Sequence, residues 1–168
     1  KSKWGITVAE GASLDLAVPL ATIADRFDRY GTGKLTIRDI AITKTGTANW
    51  YVYNGTNSFE GSASVTFPSK SDVVFGVGAP YDKSFVFIKD KAQFSVENFN
   101  LTSGGDIVPN TQVIQDGAET VVSATTKLLL DCNSANDAHC YTLKRGAISA
   151  SELTVAPSYL SQSAGGGL

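Results

Sequence analysis

The sequence has no methionine, a single histidine and only two cysteines among its 168 residues. Charged residues make up 18% of the chain, which is below the usual quarter or so of a soluble globular protein. The net charge of −2 argues against the basic surface that phosphate backbones require, so we expect no nucleic-acid partner. No apolar run approaches the roughly 18 residues of a membrane-spanning helix, so we expect no membrane span.

Signatures of catalysis are also missing from the sequence. It contains no GxSxG, HExxH, Walker or GxGxxG pattern. A general base needs a nucleophile and an orienting acid close by, and His139 has only Ser134 and Asp137 as sequence neighbours. The 16 acidic residues are scattered over turns and present no obvious facing pair. We therefore predict a protein that is not an enzyme and that needs no cofactor.

The apolar residues, at 42% of the chain, are arranged mainly in short alternating runs. Runs at residues 3–8, 13–18, 48–54, 62–67 and 72–77 have the period of two that is typical of half-buried β-strands. Turn residues separate them every 8 to 12 positions or so. No internal repeat of fixed period and no second domain are evident. This pattern predicts an all-β chain with a single β-sandwich or jelly-roll-like domain of about 9–11 short strands.

The centre of this predicted sandwich is a hairpin at residues 84–101. An alternating aromatic and aliphatic run at 84–88 is followed by a charged break at 89–91 and by a second apolar run. Residues 34–44 shift their apolar positions by one, which is what a β-bulge produces.

One segment, residues 19–30, departs from the β pattern. Leu20, Ile23, Phe27 and Tyr30 fall at helical spacing, with charged residues on the other side. A proline lies at the start of this segment and a glycine just past its end, as in many helices. We therefore predict one short helix near residues 19–30, packed on the edge of the sheet.

The sequence divides into three parts around the sandwich. Residues 1–10 are predicted to form an N-terminal strand or a donor arm, residues 11–160 the sandwich domain and residues 161–168 a flexible tail. The apolar residues of the arm are the candidate subunit contacts: Trp4, Ile6 and Val8.

Several features predict an extracellular or cell-surface location. Cys132 and Cys140 flank a polar loop between two strand-like runs and are placed for a hairpin disulfide, and the alternative is two unrelated buried thiols. A disulfide implies an oxidising compartment or the cytoplasm of a hyperthermophile. Asn54 and Asn100 begin sequons for glycosylation. The start at Lys1, with no methionine in the chain, predicts that a signal peptide has been removed. The oxygen-rich loop 131–137 either satisfies its own turns or holds a hard cation.

A second candidate cation site lies around Gly33, where the sequence resembles an EF-hand calcium loop. Asp28 is at the first position of that loop, Gly33 at the sixth and Asp39 at the twelfth. Tyr30 and Thr32 occupy the third and fifth positions, where the motif has carboxylates or amides. The resemblance implies bound calcium, whereas the alternative is a helix, a glycine turn and a strand.

An aromatic run at residues 50–53 offers a candidate carbohydrate platform. Alternation places Tyr51 and Tyr53 on one face of a strand and Trp50 on the other. Flat rings stack on sugars, so the two tyrosines are candidate glycan contacts. The alternative is that Trp50 and Val52 belong to the core, while the tyrosines line a half-buried outer face.

Three classes of function fit these features, and we rank them in this order. The first is a secreted or cell-surface, self-assembling structural protein, such as a pilus-like filament subunit joined to copies of itself by N-terminal strand donation. The second is a carbohydrate-binding or adhesion module that contacts surface glycans through the tyrosines or a calcium loop. The third is a secreted hydrolase with a dispersed acid pair.

Overall fold

The computed structural model describes residues 4–67, 72–75, 84–101, 111–130 and 141–155, which form a β-solenoid. Within these residues no helix has the length and apolarity that a membrane crossing needs. The strands, in chain order, are β1 (Trp4–Thr7), β2 (Ser13–Leu16), β3 (Leu20–Ile23), β4 (Phe27–Tyr30), β5 (Lys34–Arg38), β6 (Ala41–Lys44), β7 (Trp50–Val52), β8 (Gly55–Glu60), β9 (Ser64–Thr66), β10 (Asp72–Phe75), β11 (Ser84–Lys89), β12 (Gln93–Leu101), β13 (Thr111–Leu130) and β14 (Tyr141–Val155).

The strands pair in parallel in three stacks, and each turn of the chain adds one strand segment to every stack. Stack A consists of β1, β4, β7 and β10, followed by residues 98–101, 127–130 and 152–155. Stack B consists of β2, β5, β8 and β11, followed by residues 111–116 and 141–145. Stack C consists of β3, β6 and β9, followed by residues 93–96, 121–124 and 147–150.

The predicted β-sandwich is therefore wrong, and so is the hairpin at its centre. β11 pairs with β8 and β13, whereas β12 pairs with β9, β10 and β13, so the two strands do not pair with each other. The charged break at 89–91 is a corner between stack B and stack C rather than a hairpin turn. Short alternating strands satisfy either architecture, because alternation reports which face is buried and not which strand is the neighbour.

The predicted helix near residues 19–30 is also wrong. This segment contains β3 and β4, which pair in parallel with β6 and β7. A corner at residues 24–26 interrupts the alternation, and this interruption gave the apolar residues their helix-like spacing. Leu20 is 62% exposed at the first turn, so this side chain does not pack against the sheet as the helix prediction required.

A left-handed residue forms the corner between stacks B and C in successive turns. β5 ends at Arg38, and the next residue, Asp39, has φ 55°, while Gly61 and Asp90 take φ 62° and 57° at the equivalent corners. The Asp39 carboxylate accepts hydrogen bonds from the backbone N–H and the hydroxyl of Ser62, at 2.8 and 3.1 Å. A Cβ atom at Gly61 would lie 2.1 Å from an Asp39 oxygen, so a side chain there would displace the carboxylate that bonds to Ser62. The parity change predicted as a bulge is this corner.

The core inside the stacks contains a chain of aromatic side chains in edge-to-face contact. The ring centroid of Phe59 lies 5.9 Å from that of Trp50 and 4.8 Å from that of Phe94. Phe94 in turn lies 5.5 Å from Phe99. All four side chains are at most 1% exposed. Such pairs contribute about 0.5–1.5 kcal/mol each beyond the burial of their area, and here they connect consecutive turns.

The early turns have a nearly constant length. Trp4, Phe27, Trp50 and Val73 are in register along stack A, a spacing of about 23 residues that lies in the range typical of solenoids. The next partner of Val73 in the stack is Phe99, so the later turns are longer. The change of length hides the repeat from a search for one fixed period.

Candidate functional site

The outer surface of stack A carries a compact group of polar and aromatic side chains, the tyrosine–arginine cluster: Arg26, Asp28, Tyr30, Tyr51 and Tyr53. Because alternate residues of a strand point to opposite faces, Phe27 and Trp50 enter the core while Asp28 and Tyr51 lie outside, in register with each other. Tyr30 lies at the end of β4 and Tyr53 directly after β7. Two consecutive turns therefore build the cluster.

A buried carboxylate holds the tyrosine–arginine cluster together. The Arg26 Nε atom donates to both Asp28 oxygens, at 2.8 and 3.0 Å, and the Tyr30 hydroxyl donates to Asp28 at 2.8 Å. Arg26 also donates from Nη2 to the Tyr53 hydroxyl at 2.5 Å. The bond to Asp28 raises the pKa of Arg26, and partial burial together with the same carboxylate raises the pKa of Tyr30. Asp28 is 1% exposed, so its charge is balanced within the cluster.

The three tyrosine rings are fixed by face-to-face contacts. The rings of Tyr30 and Tyr53 stack with centroids 4.5 Å apart and planes 14° from parallel. The Arg26 guanidinium carbon lies 4.4 Å above the centre of the Tyr51 ring, whose centroid is 6.0 Å from that of Tyr53. The cluster is therefore a rigid aromatic surface whose side chains lose little freedom when a ligand binds.

A row of three amides and one carboxylate, the amide ladder, continues the same outer surface along the solenoid: Asn49, Asp72, Asn98 and Asn100. Asn49 donates from Nδ2 to the Tyr51 hydroxyl at 3.2 Å and accepts from the Asp72 backbone N–H at 3.2 Å. The Asp72 carboxylate accepts from Asn98 at 2.7 Å and from Asn100 at 3.3 Å. The ladder thus joins the tyrosine–arginine cluster to the fifth strand segment of stack A.

The N-terminal end of the solenoid opens into an apolar cavity. Among the described residues β1, β2 and β3 pair on one side only, with β4, β5 and β6. Inward side chains of these strands, including Ile6, Leu16 and Ile23, are half-buried around a cavity of about 460 Å³. Asp25 and Arg26 also line this cavity.

The opposite end of the solenoid exposes apolar side chains as well. In the described part of the chain β14 pairs only with β13. Leu153 and Val155 are each 61% exposed and Leu143 is 47% exposed, although they are in register with inward positions of β13. The two ends therefore have the same character, with an unpaired strand edge beside apolar residues.

A ladder of alternating charge crosses the outer surface of stack B. Glu60 pairs with Arg38 at 2.5 Å and with Lys89 at 3.4 Å, and Asp116 pairs with Arg145 at 2.7 Å. A hydrogen bond from Ser58, together with both cations, lowers the pKa of Glu60. These carboxylates neutralise the cationic side chains of neighbouring strands. They are not arranged as an acid–base pair across a cleft.

Arg29 is a charged residue that sequence analysis did not single out. Its side chain is 0% exposed, and burial lowers its pKa to about 10. The guanidinium donates to the backbone carbonyls of Tyr30 at 2.7 Å, of Gly31, and of Gly33 at 2.5 Å. These bonds satisfy the backbone carbonyls of the corner between β4 and β5, so Arg29 has a structural role. Charged side chains are rarely buried, and no sequence pattern identifies this exception.

The segment that resembles an EF-hand loop is extended in the structure. Asp28 and Asp39 lie at opposite ends of this segment, with β5 between them, and Leu35 and Ile37 of that strand are core residues. Asp28 accepts hydrogen bonds from Arg26, and Asp39 accepts hydrogen bonds from Ser62. Neither carboxylate is therefore free to coordinate calcium as the first and twelfth residues of an EF-hand loop do. No group of three or more metal-ligating His, Cys, Asp or Glu side chains occurs among the residues that the structure describes.

The other candidate residues occupy separate places. Asn54 is 6% exposed at the corner after β7, and Asn100 is half-buried on the amide ladder, so modification of either sequon stays a prediction. Cys132, Cys140, His139 and the loop 131–137 lie outside the described residues, as does the predicted tail.

The predicted donor arm lies in the first turn. β1 pairs with β4, and the Val8 N–H donates to the Tyr30 carbonyl at 3.0 Å. Val8 is 4% exposed and Ile6 lines the N-terminal cavity, whereas Trp4 aligns with Phe27. Donation of this segment to another subunit stays a prediction.

Tyr51 and Tyr53 lie on one outer face, with Trp50 and Val52 in the core. Sequence analysis missed Arg26 and Tyr30 as their partners, because it placed them in a helix. The 23-residue step from Phe27 to Trp50 was the signal that could have found them.

Comparison with protein-family models finds no matching family, and neither curated proteins nor solved structures match the chain. The arrangement of the outer surfaces and of the two ends is therefore the basis for assigning a function.

Proposed function

We propose that this chain is a non-catalytic structural protein of the cell exterior that assembles end to end with copies of itself. The observation that carries the proposal is the pair of open ends, where β1–β3 and β14 each have one unpaired edge in the described residues. The cysteine pair at residues 132 and 140 supports an extracellular location.

Unpaired strand edges favour pairing with another chain. Each edge presents a row of N–H and C=O groups that can continue a β-ladder. All strands of a stack run in the same direction, so the C-terminal end of one copy can continue in parallel into the N-terminal end of the next. Stack A has one segment more than stacks B and C, so the next copy continues the coil when it is rotated by one stack. Residues 141–145, 147–150 and 152–155 of one copy would then lie against β1, β2 and β3 of the next.

Apolar contacts at the same ends supply the free energy of association. Leu143, Leu153 and Val155 would cover the cavity of the next copy, which Ile6 and Leu16 line. Complete burial of one aliphatic side chain contributes about 1.5–3 kcal/mol. Several such side chains, with three strand edges, are needed to offset the roughly 4–15 kcal/mol that association costs.

The symmetry of such a contact predicts a filament. Two different surfaces of the same chain meet, and a head-to-tail contact that does not close on itself continues without limit. In this form of the proposal β1 stays in its own first turn, and whole turns stack on one another instead of one arm being exchanged.

Light scattering after size exclusion, combined with negative-stain images, tests the proposal. We expect the wild type to exceed its monomer mass of 17.7 kDa increasingly with concentration and to form rods. Leu153→Lys introduces a charge into the proposed contact and should remain at the monomer mass. Ser95→Lys, an exposed outward position in the fourth of the six segments of stack C, is the matched control and should assemble as the wild type does.

Complementary end variants sharpen the test. Ile6→Lys should also be monomeric, and circular dichroism should show that both end variants remain folded. A mixture of Ile6→Lys with Leu153→Lys should give dimers but no longer species, because each variant keeps one intact end. A wild type that stays at the monomer mass at every concentration, or a Leu153→Lys variant that still forms rods, would overturn the proposal.

A further inference from the structure

We propose that the tyrosine–arginine cluster and the amide ladder together form a binding surface for a neutral polysaccharide chain that lies along the solenoid axis. This inference does not rest on end-to-end assembly, since the surface extends over the second to fifth segments of stack A, and of its residues only Arg26 also lines the N-terminal cavity.

The aromatic half of the surface has the chemistry of sugar stacking. Tyr30 is 38% exposed, and Tyr51 and Tyr53 are half-buried. Arg26 and Asp28 hold the rings of Tyr53 and Tyr30 through hydrogen bonds of 2.5 and 2.8 Å, and Asn49 donates to the Tyr51 hydroxyl at 3.2 Å, so little side-chain entropy is lost on binding. Packing of the core does not require three tyrosine rings outside it, because Phe27, Trp50 and Val52 fill the inward positions of the same strands.

The amide half of the surface supplies hydrogen-bonding groups for hydroxyls. Asn49, Asn98 and Asn100 are half-buried, and each side-chain amide has both donor and acceptor groups. Asp72 accepts from Asn98 and Asn100, which fixes the orientation of their amides. Fixed polar groups beside fixed rings are the combination that defines the orientation of a ligand.

The line of these groups suits an extended chain. Neighbouring strands of a sheet are about 4.8 Å apart, so three steps from β4 to residues 98–101 cover about 14 Å. Asp28, Tyr51, Val74 and Asn100 are in register along the axis. Tyr30 lies two residues after Asp28 and Asp72 two residues before Val74, so the proposed contacts form a diagonal band from Tyr30 to Asn98. A polymer with repeated rings and hydroxyls can contact every step.

The charges of the surface favour a neutral ligand. Its ionised side chains are one cation, Arg26, and two carboxylates, Asp28 and Asp72. Arg26 is bound to Asp28, and the next cation along the stack, Lys127 in register with Asn98, pairs with Glu152 at 3.3 Å. Among the described residues of this surface both cations are therefore already paired. An acidic polysaccharide would meet the carboxylate of Asp72 without a compensating cation.

Affinity electrophoresis in native gels tests the inference. The probes are hydroxyethylcellulose, xyloglucan and galactomannan, with polygalacturonate as the acidic comparison. All proteins carry Leu153→Lys, so that assembly at the ends does not change their mobility. We expect at least one neutral polysaccharide to retard this protein, and polygalacturonate to have no effect.

Substitutions assign the retardation to the surface. Tyr30→Ala should weaken binding about tenfold and Tyr51→Ala with Tyr53→Ala at least as much, while Asn98→Ala should weaken it about threefold. Phe87→Ala removes a half-buried outward ring from stack B and is the matched control, with unchanged binding. Circular dichroism identifies the variants that fold. If Tyr51→Ala with Tyr53→Ala does not fold, Tyr30→Ala, which alters the most exposed ring of the cluster, decides the outcome.

Three results would overturn the inference. The first is that no neutral polysaccharide retards the protein, and the second is that only polygalacturonate does. The third is retardation that Tyr30→Ala and Asn98→Ala leave unchanged. Each of these leaves the proposal of end-to-end assembly intact, because that proposal is judged by mass alone.

Discussion

Leu128 and Leu153 are the same residue type on neighbouring strands of stack A, in register with each other, yet one is 4% exposed and the other 61%. Leu128 has a strand on each side, in β12 and β14, whereas β14 pairs only with β13 in the described residues. A solenoid repeats the same inward position in every turn, so the character of a residue depends on which turn contains it. The middle turns bury the inward apolar side chains that the end turns leave exposed.

The largest expected effect is at the centre of the core. Phe94→Ala removes a ring that contacts Phe59 and Phe99, which connect it to the turns on either side. We expect the free energy of unfolding in urea to fall by about 3–5 kcal/mol. Ser95→Ala, at an exposed outward position beside Phe94 in the same strand, should change it by less than about 0.5 kcal/mol. Equal effects would show that position in the core does not decide stability.

The two leucines test the comparison between middle and end directly. Leu128→Ala should cost about 2–5 kcal/mol, because the cavity left behind is enclosed. Leu153→Ala should cost less than about 1 kcal/mol, because more than half of its side chain is already in water. Urea denaturation at a low protein concentration, where assembly is absent, measures both. A similar loss for the two variants would contradict the open C-terminal end.

A smaller effect is expected from the charge ladder, on changing the pH. Glu60 joins β5, β8 and β11 and is 8% exposed, whereas Glu152 near the C-terminal end is exposed and pairs with Lys127. The pKa of Glu60 is lowered on folding, so its contribution is present above its ordinary pKa and is lost as the pH falls through the folded value.

We therefore expect Glu60→Gln to reduce the fall in the free energy of unfolding between about pH 6 and about pH 3. Glu152→Gln should leave this fall almost unchanged, because exposed ion pairs are weak. Denaturation curves at several pH values measure the difference. If both variants follow the wild type, the Glu60 pairs contribute no more than surface pairs do.

Much of the local structure could be predicted from the sequence. The alternating runs at 13–18 and 62–67 contain β2 and β9, and alternation separates Trp50 in the core from Tyr51 outside it. These features depend on residues close in sequence, which a period of two reports directly.

The pairing of the strands could not be predicted in the same way. Asp39 and Asp90 adopt left-handed conformations, which turn the chain at corners that imitate a bulge and a hairpin break. Parallel neighbours such as Asp28 and Tyr51 are a full turn apart in sequence, so no local pattern links them. Arg26 and Tyr30 were lost from the candidate site for this reason.

Amide hydrogen exchange at increasing protein concentration tests the central claim most directly, because it follows the strand edges themselves. The account predicts that protection of β14 and of β1–β3 rises with concentration, while that of β8 and β11 in the middle turns stays constant. Protection of β14 and β1–β3 that does not depend on concentration would contradict association through the open ends.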